Sequence, residues 1–253
     1  MISLYYSLIY LIIELVLSFF IASIVKLLEP NIPIFQILFY RYLLSLPLLV
    51  IYGFAKYGLK IVKVNNIRLL LLRIICGFLG LAMWFLAVAK IDISLATVLL
   101  NTMPLFITIL SVIIARESVG LRRSVAVIVG FFGVVFIILP INASFSFSGV
   151  IYALLGAIFA GLMFVFIRML GKTNASIPTA IWYNSFGVVV SGMILFFSEY
   201  YLNNNSISLI HKDLPWSYLL ALGLLASFLQ LCLAVRHSYA VASADAPFLY
   251  LAL

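Results

Sequence analysis

Charge is what this chain has least of. Only 9% of its 253 residues are Asp, Glu, Lys or Arg, whereas 66% are hydrophobic. A soluble domain carries roughly 25% charged residues. With so few, a soluble fold would present one continuous apolar surface, which monomeric soluble proteins do not do. Disorder is excluded by the same composition, because disordered chains are poor in apolar residues. Cysteine is nearly absent as well. Cys76 and Cys232 each sit inside a long apolar run, which excludes a disulfide framework and reads as small apolar packing. No Cys/His cluster has metal-ligand spacing, so neither a metal nor a cofactor is expected. No G-x-x-x-x-G-K-[ST] run is present, which leaves no phosphate-cradling loop for ATP. The net charge of +8 is scattered between apolar runs. It therefore suits loops at a membrane surface better than a nucleic-acid partner.

What is abundant is long apolar sequence, with a mean hydropathy of +1.30. Runs fall at about 4–28, 33–54, 67–89, 92–115, 124–140, 148–170, 177–198, 216–236 and 238–253. Each of the first eight has the roughly 20-residue length that crosses a bilayer as a helix, and the ninth has begun. The runs are continuous rather than alternating, which excludes a lipid-facing barrel. Helices satisfy their own backbone in lipid, so the expected class is an all-α, polytopic membrane protein. The first run lacks a basic flank and is long for a signal peptide, and it reads as a retained helix. With the N-terminus cytoplasmic, Lys56, Lys60, Lys63, Arg68, Arg116, Arg122, Arg123, Arg168, Lys172 and Arg236 fall on the cytoplasmic side. Only Lys26, Lys90 and Lys212 fall outside, a strong positive-inside asymmetry. Arg73, about one turn into the third helix, can snorkel to the cytoplasmic side.

The chain also resembles itself. Phe85-Leu-Ala-Val-Ala-Lys-Ile-Asp-Ile-Ser-Leu-Ala is similar to Leu233-Ala-Val-Arg-His-Ser-Tyr-Ala-Val-Ala-Ser-Ala, and Lys26 corresponds to Arg168. Five helices separate the copies. An odd number inverts the second copy, and inverted repeats place a site near the bilayer midplane.

The segment from about 86 to 140 contains Pro104 in an apolar helix, then Glu117, the basic pair Arg122 and Arg123, and Gly130 with Gly133. This pattern resembles the ten-helix EamA-type members of the drug/metabolite transporter superfamily. It is closest to the bacterial branch related to solute carrier 35 proteins, some of which are regarded as S-adenosylmethionine importers. The resemblance implies a secondary transporter with two five-helix repeats and cytoplasmic termini, in a bacterial inner membrane. The first repeat is expected at 1–143 and the second at 144–253. The second is short by roughly 35 residues relative to the first, leaving the ninth helix incomplete and the tenth absent.

Polar residues inside the apolar runs are the site candidates. Ser94, Thr97, Asn101, Thr108 and Ser111 follow one face of the fourth helix. They either line a substrate path, with Pro104 opening the backbone, or bond to their own helix and its neighbours. Glu14 stands mid-span, where an ionised carboxylate is costly, which suits a proton or cation site. Arg41 lies about two turns inside the second helix, stays charged, and has Ser45 at i+4. It is expected to meet a substrate anion or to neutralise Glu14. Trp84 either stacks on substrate or packs. Asn184 with Ser191, and Gln230 with Ser227, give shorter polar faces to the seventh and eighth helices. Gly77 with Gly80, Gly130 with Gly133, and Gly156 with Ala160 read as close helix contacts. Asp245 enters the ninth helix.

The expected function is secondary-active, alternating-access transport of a small polar or amphipathic metabolite. Glu14, Arg41, Trp84, Asn101, Asn184 and Gln230 would contact substrate or a coupling proton. The expected partners are a small-molecule substrate and the lipid bilayer, with no nucleic acid; the sequence is silent on oligomeric state. The alternatives are a truncated, non-transporting remnant or an incomplete sequence of such a transporter. Less favoured is a membrane-embedded transferase, which needs clustered acid/base groups that the chain does not supply.

Overall fold

The computed structural model describes residues 2–29, 31–115, 146–171, 174–202 and 214–239, together with 125, 129–130 and 132–133. The expected ninth helix, Glu117, Arg122, Arg123 and Asp245 lie outside the described residues. No strand occurs among those described. The helices are α1 (Ile2–Leu28), α2 (Ile34–Tyr57), α3 (Ile67–Lys90), α4 (Ile93–Leu100), α5 (Met103–Ala115), α6 (Phe147–Leu170), α7 (Ser176–Leu202) and α8 (Trp216–Tyr239). Six stretches among the described residues are long and apolar enough to cross a membrane, from Ile34–Val62 to Trp216–Leu233.

Local sequence sets the helix ends. Asn66 caps α3 by accepting the Leu69 N–H at 3.2 Å, which satisfies one of the first-turn donors. Gly58 ends α2 with φ 55 and donates its N–H to the Phe54 carbonyl. That positive-φ conformation, with ψ −138, costs a residue with a Cβ about 1–3 kcal/mol. A short 3-10 turn, Gly58–Val62, follows. Pro47 stands inside α2, where it removes one ladder donor and favours a bend.

The fourth apolar run is not one continuous helix. It breaks at Asn101 and Thr102, between α4 and α5. The Thr102 N–H bonds the Leu99 carbonyl at 3.2 Å, and its hydroxyl bonds the same oxygen at 2.6 Å. Leu105 N–H bonds back to Thr102 O at 2.9 Å. Pro104 has no N–H to offer the Leu100 carbonyl, so the helical ladder is interrupted where the single-face reading required it to run on. Pro104 is expected to open the backbone, and the helix is interrupted over Asn101 and Thr102, three and two residues before it.

The chain divides into two compact units. Unit one contains α1, α2, α7 and α8. Its main contacts are α2 with α7, α1 with α8 and α2 with α8. Leu49, Ile177 and Ile181 form an apolar cluster in which Leu46, Tyr57, Ile61 and Leu231 also pack. Unit two contains α3, α4, α5 and α6, and in it α6 packs on all three of the others. Of the expected small-residue contacts, those of Gly80, Gly156 and Ala160 are present, whereas a Cβ on Gly133 meets no described residue within 4 Å. A Cβ on Gly80 would lie 3.0 Å from the Ala160 nitrogen, and one on Gly156 would lie 3.4 Å from the Gly80 carbonyl oxygen.

Each unit draws helices from both halves of the sequence. Large apolar side chains cover the outside: Phe19, Ile51, Ile113, Phe196 and Phe228 are all more than half exposed. Such a surface is at home in hydrocarbon. Arg73 departs from the snorkelling expectation. It is 4% exposed, enclosed by protein rather than extended to the surface, because its position on α3 falls on the face that packs inside unit two.

Candidate functional site

Unit one buries a polar cluster within its apolar helices. Arg41 and Ser45 stand seven and eleven residues beyond Ile34, roughly 10 and 17 Å along α2 at 1.5 Å per residue. Four residues apart, they share a face. The Ser45 hydroxyl lies 2.7 Å from Asn184 Oδ1 on α7 and 3.0 Å from its own helix at the Tyr42 carbonyl. Asn184, fully buried, donates its Nδ2 to the Ala180 carbonyl at 2.8 Å. From α8, the Ser227 hydroxyl reaches the Ser45 carbonyl at 3.2 Å and the Gly223 carbonyl at 2.8 Å. Three helices thus meet at Ser45.

One turn away, the Tyr42 and Tyr183 hydroxyls are 3.0 Å apart, with their rings edge to face at 5.5 Å. The approach is close because α7 and α8 present glycine to α2. A Cβ on Gly187 would fall 2.6 Å from the Tyr42 ring, and one on Gly223 would overlap the Leu44 Cβ.

Arg41 is 2% exposed. Its guanidinium lies 5.1 Å from the centre of the Tyr42 ring, a distance at which the ring face attracts a cation. Among the described residues, Nε and Nη1 have no hydrogen-bond partner. Leaving such donors unmade is costly in a low-dielectric interior. Gln230, one turn beyond Ser227, is 8% exposed, and its Oε1 likewise has no partner among the described residues.

Glu14 is 7% exposed near the middle of α1. A two-pronged bond between Glu14 and Arg41 would have to use Nε or Nη1, since each fork of a guanidinium contains one of them. With both unpartnered, that bond is not formed. The two residues also differ in depth. Glu14 is fourteen residues before Leu28 and Arg41 seven after Ile34, an offset of roughly 10 Å along the helix axes.

Trp84 and Asn101 belong to unit two. Trp84 is 8% exposed on α3, and its Nε1 has no partner among the described residues. A Cβ on Gly156 would lie 3.4 Å from the Trp84 backbone nitrogen and 3.7 Å from Leu100, so α6 bridges α3 to the end of α4. Asn101 is the half-buried residue at the break, its N–H bonded to the Thr97 carbonyl at 2.9 Å. Of its expected polar face, Ser111 is buried and Ser94 is exposed. The Thr108 hydroxyl is occupied by the Pro104 carbonyl at 2.9 Å.

Four of the six candidates therefore share unit one, and two share unit two. The residues that sequence reasoning passed over are Tyr42 and Tyr183. Among fourteen tyrosines, nothing but adjacency to Arg41 and Asn184 marked them out, and tyrosine is common at membrane interfaces for other reasons. Among the described residues, no three His, Cys, Asp or Glu side chains come together to hold a metal. The cluster offers hydrogen-bond donors and acceptors, one fixed cation and aromatic edges. Groups of that kind are chemically suited to hold a polar ligand.

Residues 5–139 match the EamA-like transporter family. The S-adenosylmethionine uptake transporter of Rickettsia prowazekii is 29% identical over 230 residues, covering 87% of this chain and 71% of that protein. An uncharacterized transporter of Helicobacter pylori J99 is 26% identical over 84% of this chain and 71% of its own length. The riboflavin transporter of Vibrio cholerae is 27% identical over 70% of this chain and 57% of its own. A protein of known crystal structure superposes with a TM-score of 0.56 at 16% identity, over 93% of this chain and 85% of that one. That likeness establishes a shared fold.

Proposed function

The chain belongs to the EamA-like transporter family, and from that premise we propose that it is a secondary-active carrier moving a small polar or amphipathic metabolite by alternating access. As a multi-pass integral membrane protein and a transporter, it has a small-molecule substrate and the bilayer as its partners. The observation that carries the finer reading is the buried polar cluster of unit one. Arg41, Ser45, Asn184, Ser227 and Gln230 are each at most 8% exposed, inside apolar helices. Polar and ionisable residues at that depth are expensive and mark substrate or ion pathways.

The proposed architecture is two inverted five-helix repeats, 1–143 and 144–253, with a cytoplasmic N-terminus in a bacterial inner membrane. Exchanging the repeats maps α1 onto α6, α2 onto α7 and α3 onto α8. Under that exchange the α1–α8 contact becomes the α6–α3 contact, and α2–α7 becomes itself. All three pairings occur within the two units, which supports the inverted relation. Glu14 is proposed as the coupling-proton site, because a carboxyl held this far from water changes charge only at a cost that substrate movement can offset. Trp84 and Asn101 are also proposed to contact substrate, as broken helices do in other carriers.

The test is uptake by the purified chain in proteoliposomes. A panel of S-adenosylmethionine, riboflavin and free amino acids follows from the relatives and from the cluster's chemistry. Saturable accumulation of at least one compound, abolished by Glu14→Gln when a proton gradient drives it, is the expected result. No saturable flux of any of them would overturn the reading.

A further inference from the structure

Two groups in unit one, Arg41 and Gln230, have unmet hydrogen-bonding capacity of opposite kind. Arg41 carries open donors, Nε and Nη1, and Gln230 an open acceptor, Oε1; all three atoms are buried and without a partner among the described residues. Both residues flank the contact between α2 and α8. The Ser227 hydroxyl sits 3.2 Å from the Ser45 carbonyl. Gly223 meets Leu44, so the numbering of the two helices rises together and they run in the same direction. Arg41 lies four residues before Ser45, and Gln230 lies three after Ser227. Those seven residues separate the two groups by roughly 10 Å along the helices. Spacings of three and four also keep each on the face of its helix that carries the serine.

We propose that Arg41 and Gln230 hold opposite ends of one elongated substrate. Arg41 takes a carboxylate-type oxyanion and Gln230 takes an N–H donor such as an amine or an amino-substituted ring. The body of the substrate lies along the Ser45–Asn184–Ser227 edge. This assignment rests on the transporter reading and specifies its substrate class. A guanidinium binds a carboxylate with charge-assisted, paired hydrogen bonds, and it does so without losing its own charge. A buried amide oxygen is met by an N–H and not by a second anion. Arg41 and Gln230 are not partners for each other across that span, so one ligand bearing both groups satisfies both at once. The open atoms are sealed from solvent in this conformation. Substrate reaches them when α2 parts from α7 and α8 at the Gly187 and Gly223 contacts.

The experiment uses the full chain in proteoliposomes and compares S-adenosylmethionine with its decarboxylated analogue, which differs only in lacking the carboxylate. Riboflavin, which has no oxyanion, is the third probe. The expected result is a KM for the decarboxylated analogue at least tenfold above that of S-adenosylmethionine. Arg41→Gln should erase that difference and Arg41→Lys should restore part of it. Gln230→Leu should raise KM for both compounds while leaving their ratio unchanged. The wild-type comparison needs no variant, so a variant that fails to fold does not disable the test. Equal handling of the pair by the wild type, or a ratio that survives Arg41→Gln, overturns the assignment while transport stands. Riboflavin flux lowered by Arg41→Gln as much as that of S-adenosylmethionine does the same, since riboflavin offers Arg41 no oxyanion. No flux of any of these probes overturns this assignment, and the transport reading falls with it only when the free amino acids give no saturable flux either.

Discussion

Gly223→Ala measures directly how tightly α8 is seated on α2. The added Cβ would overlap the Leu44 Cβ and lie 3.1 Å from the Leu44 carbonyl carbon and 3.3 Å from its Cα. Backbone atoms cannot swing aside as a side-chain tip can. Overpacking of a close contact costs about 1–3 kcal/mol, and a backbone obstacle places this case in the upper part of that range. The substitution also gains about 1 kcal/mol of helix propensity over glycine. The net destabilisation is therefore about 1–2 kcal/mol. At about 2–4 °C per kcal/mol for a chain of this size, Tm should fall by about 2–8 °C.

The matched control is Gly133→Ala, where a Cβ meets no described residue within 4 Å and the expected change is the propensity gain. The assay is thermal unfolding in detergent, read with a thiol-reactive dye that reports exposure of the free Cys76 and Cys232. Uptake should fall in parallel, because the displaced helix carries Ser227 away from the Ser45 carbonyl. A Tm for Gly223→Ala equal to that of Gly133→Ala would refute the close approach and, with it, the geometry of the polar cluster.

Three further predictions follow from named contacts. Ser45→Ala should destabilise by about 1–3 kcal/mol, since it leaves the buried Asn184 Oδ1 without its partner, and Asn184→Leu by less, since the Ser45 hydroxyl keeps the Tyr42 carbonyl at 3.0 Å. The double variant should cost less than their sum by about 0.5–1.5 kcal/mol, and strict additivity of the four thermal stabilities would show that the 2.7 Å bond contributes nothing. Pro104→Ala returns an N–H to the break between α4 and α5, and should raise Tm while slowing flux several-fold. Unchanged flux would remove the break from the transport cycle. Glu14→Gln should abolish uptake driven by a pH gradient while preserving substrate exchange at equal pH on both sides. Persistent gradient-driven uptake would take the proton away from Glu14.

How much of this was legible beforehand varies with the distance over which each feature is encoded. Apolar runs are local, and their lengths predicted helices whose described bounds agree within a few residues for α2, α3 and α6. The small-residue contacts of Gly80 and Gly156 were legible because only a residue without a side chain lets two helices come so close. The break in the fourth run was half legible. Pro104 announces a missing donor, but the turn itself depends on the Thr102 hydroxyl competing for the Leu99 carbonyl. Arg73 was misjudged because distance from a helix end says nothing of which face its neighbours cover.

The candidate site followed the same division. By itself, the sequence determined the class, the family pattern and the short list of polar residues that hydrocarbon would not tolerate without a use. It named Glu14, Arg41, Asn184 and Gln230 from composition and depth, which are properties of one helix at a time. The tertiary structure decided which of them belong together. It placed Asn184 and Ser227 at Ser45, put Tyr183 opposite Tyr42, and set Trp84 and Asn101 in the other unit. Those pairings join residues from 139 to 182 positions apart. They depend on the crossing of helices at glycine contacts rather than on any local preference. That crossing also left Arg41 and Gln230 with hydrogen-bonding capacity unmet among the described residues.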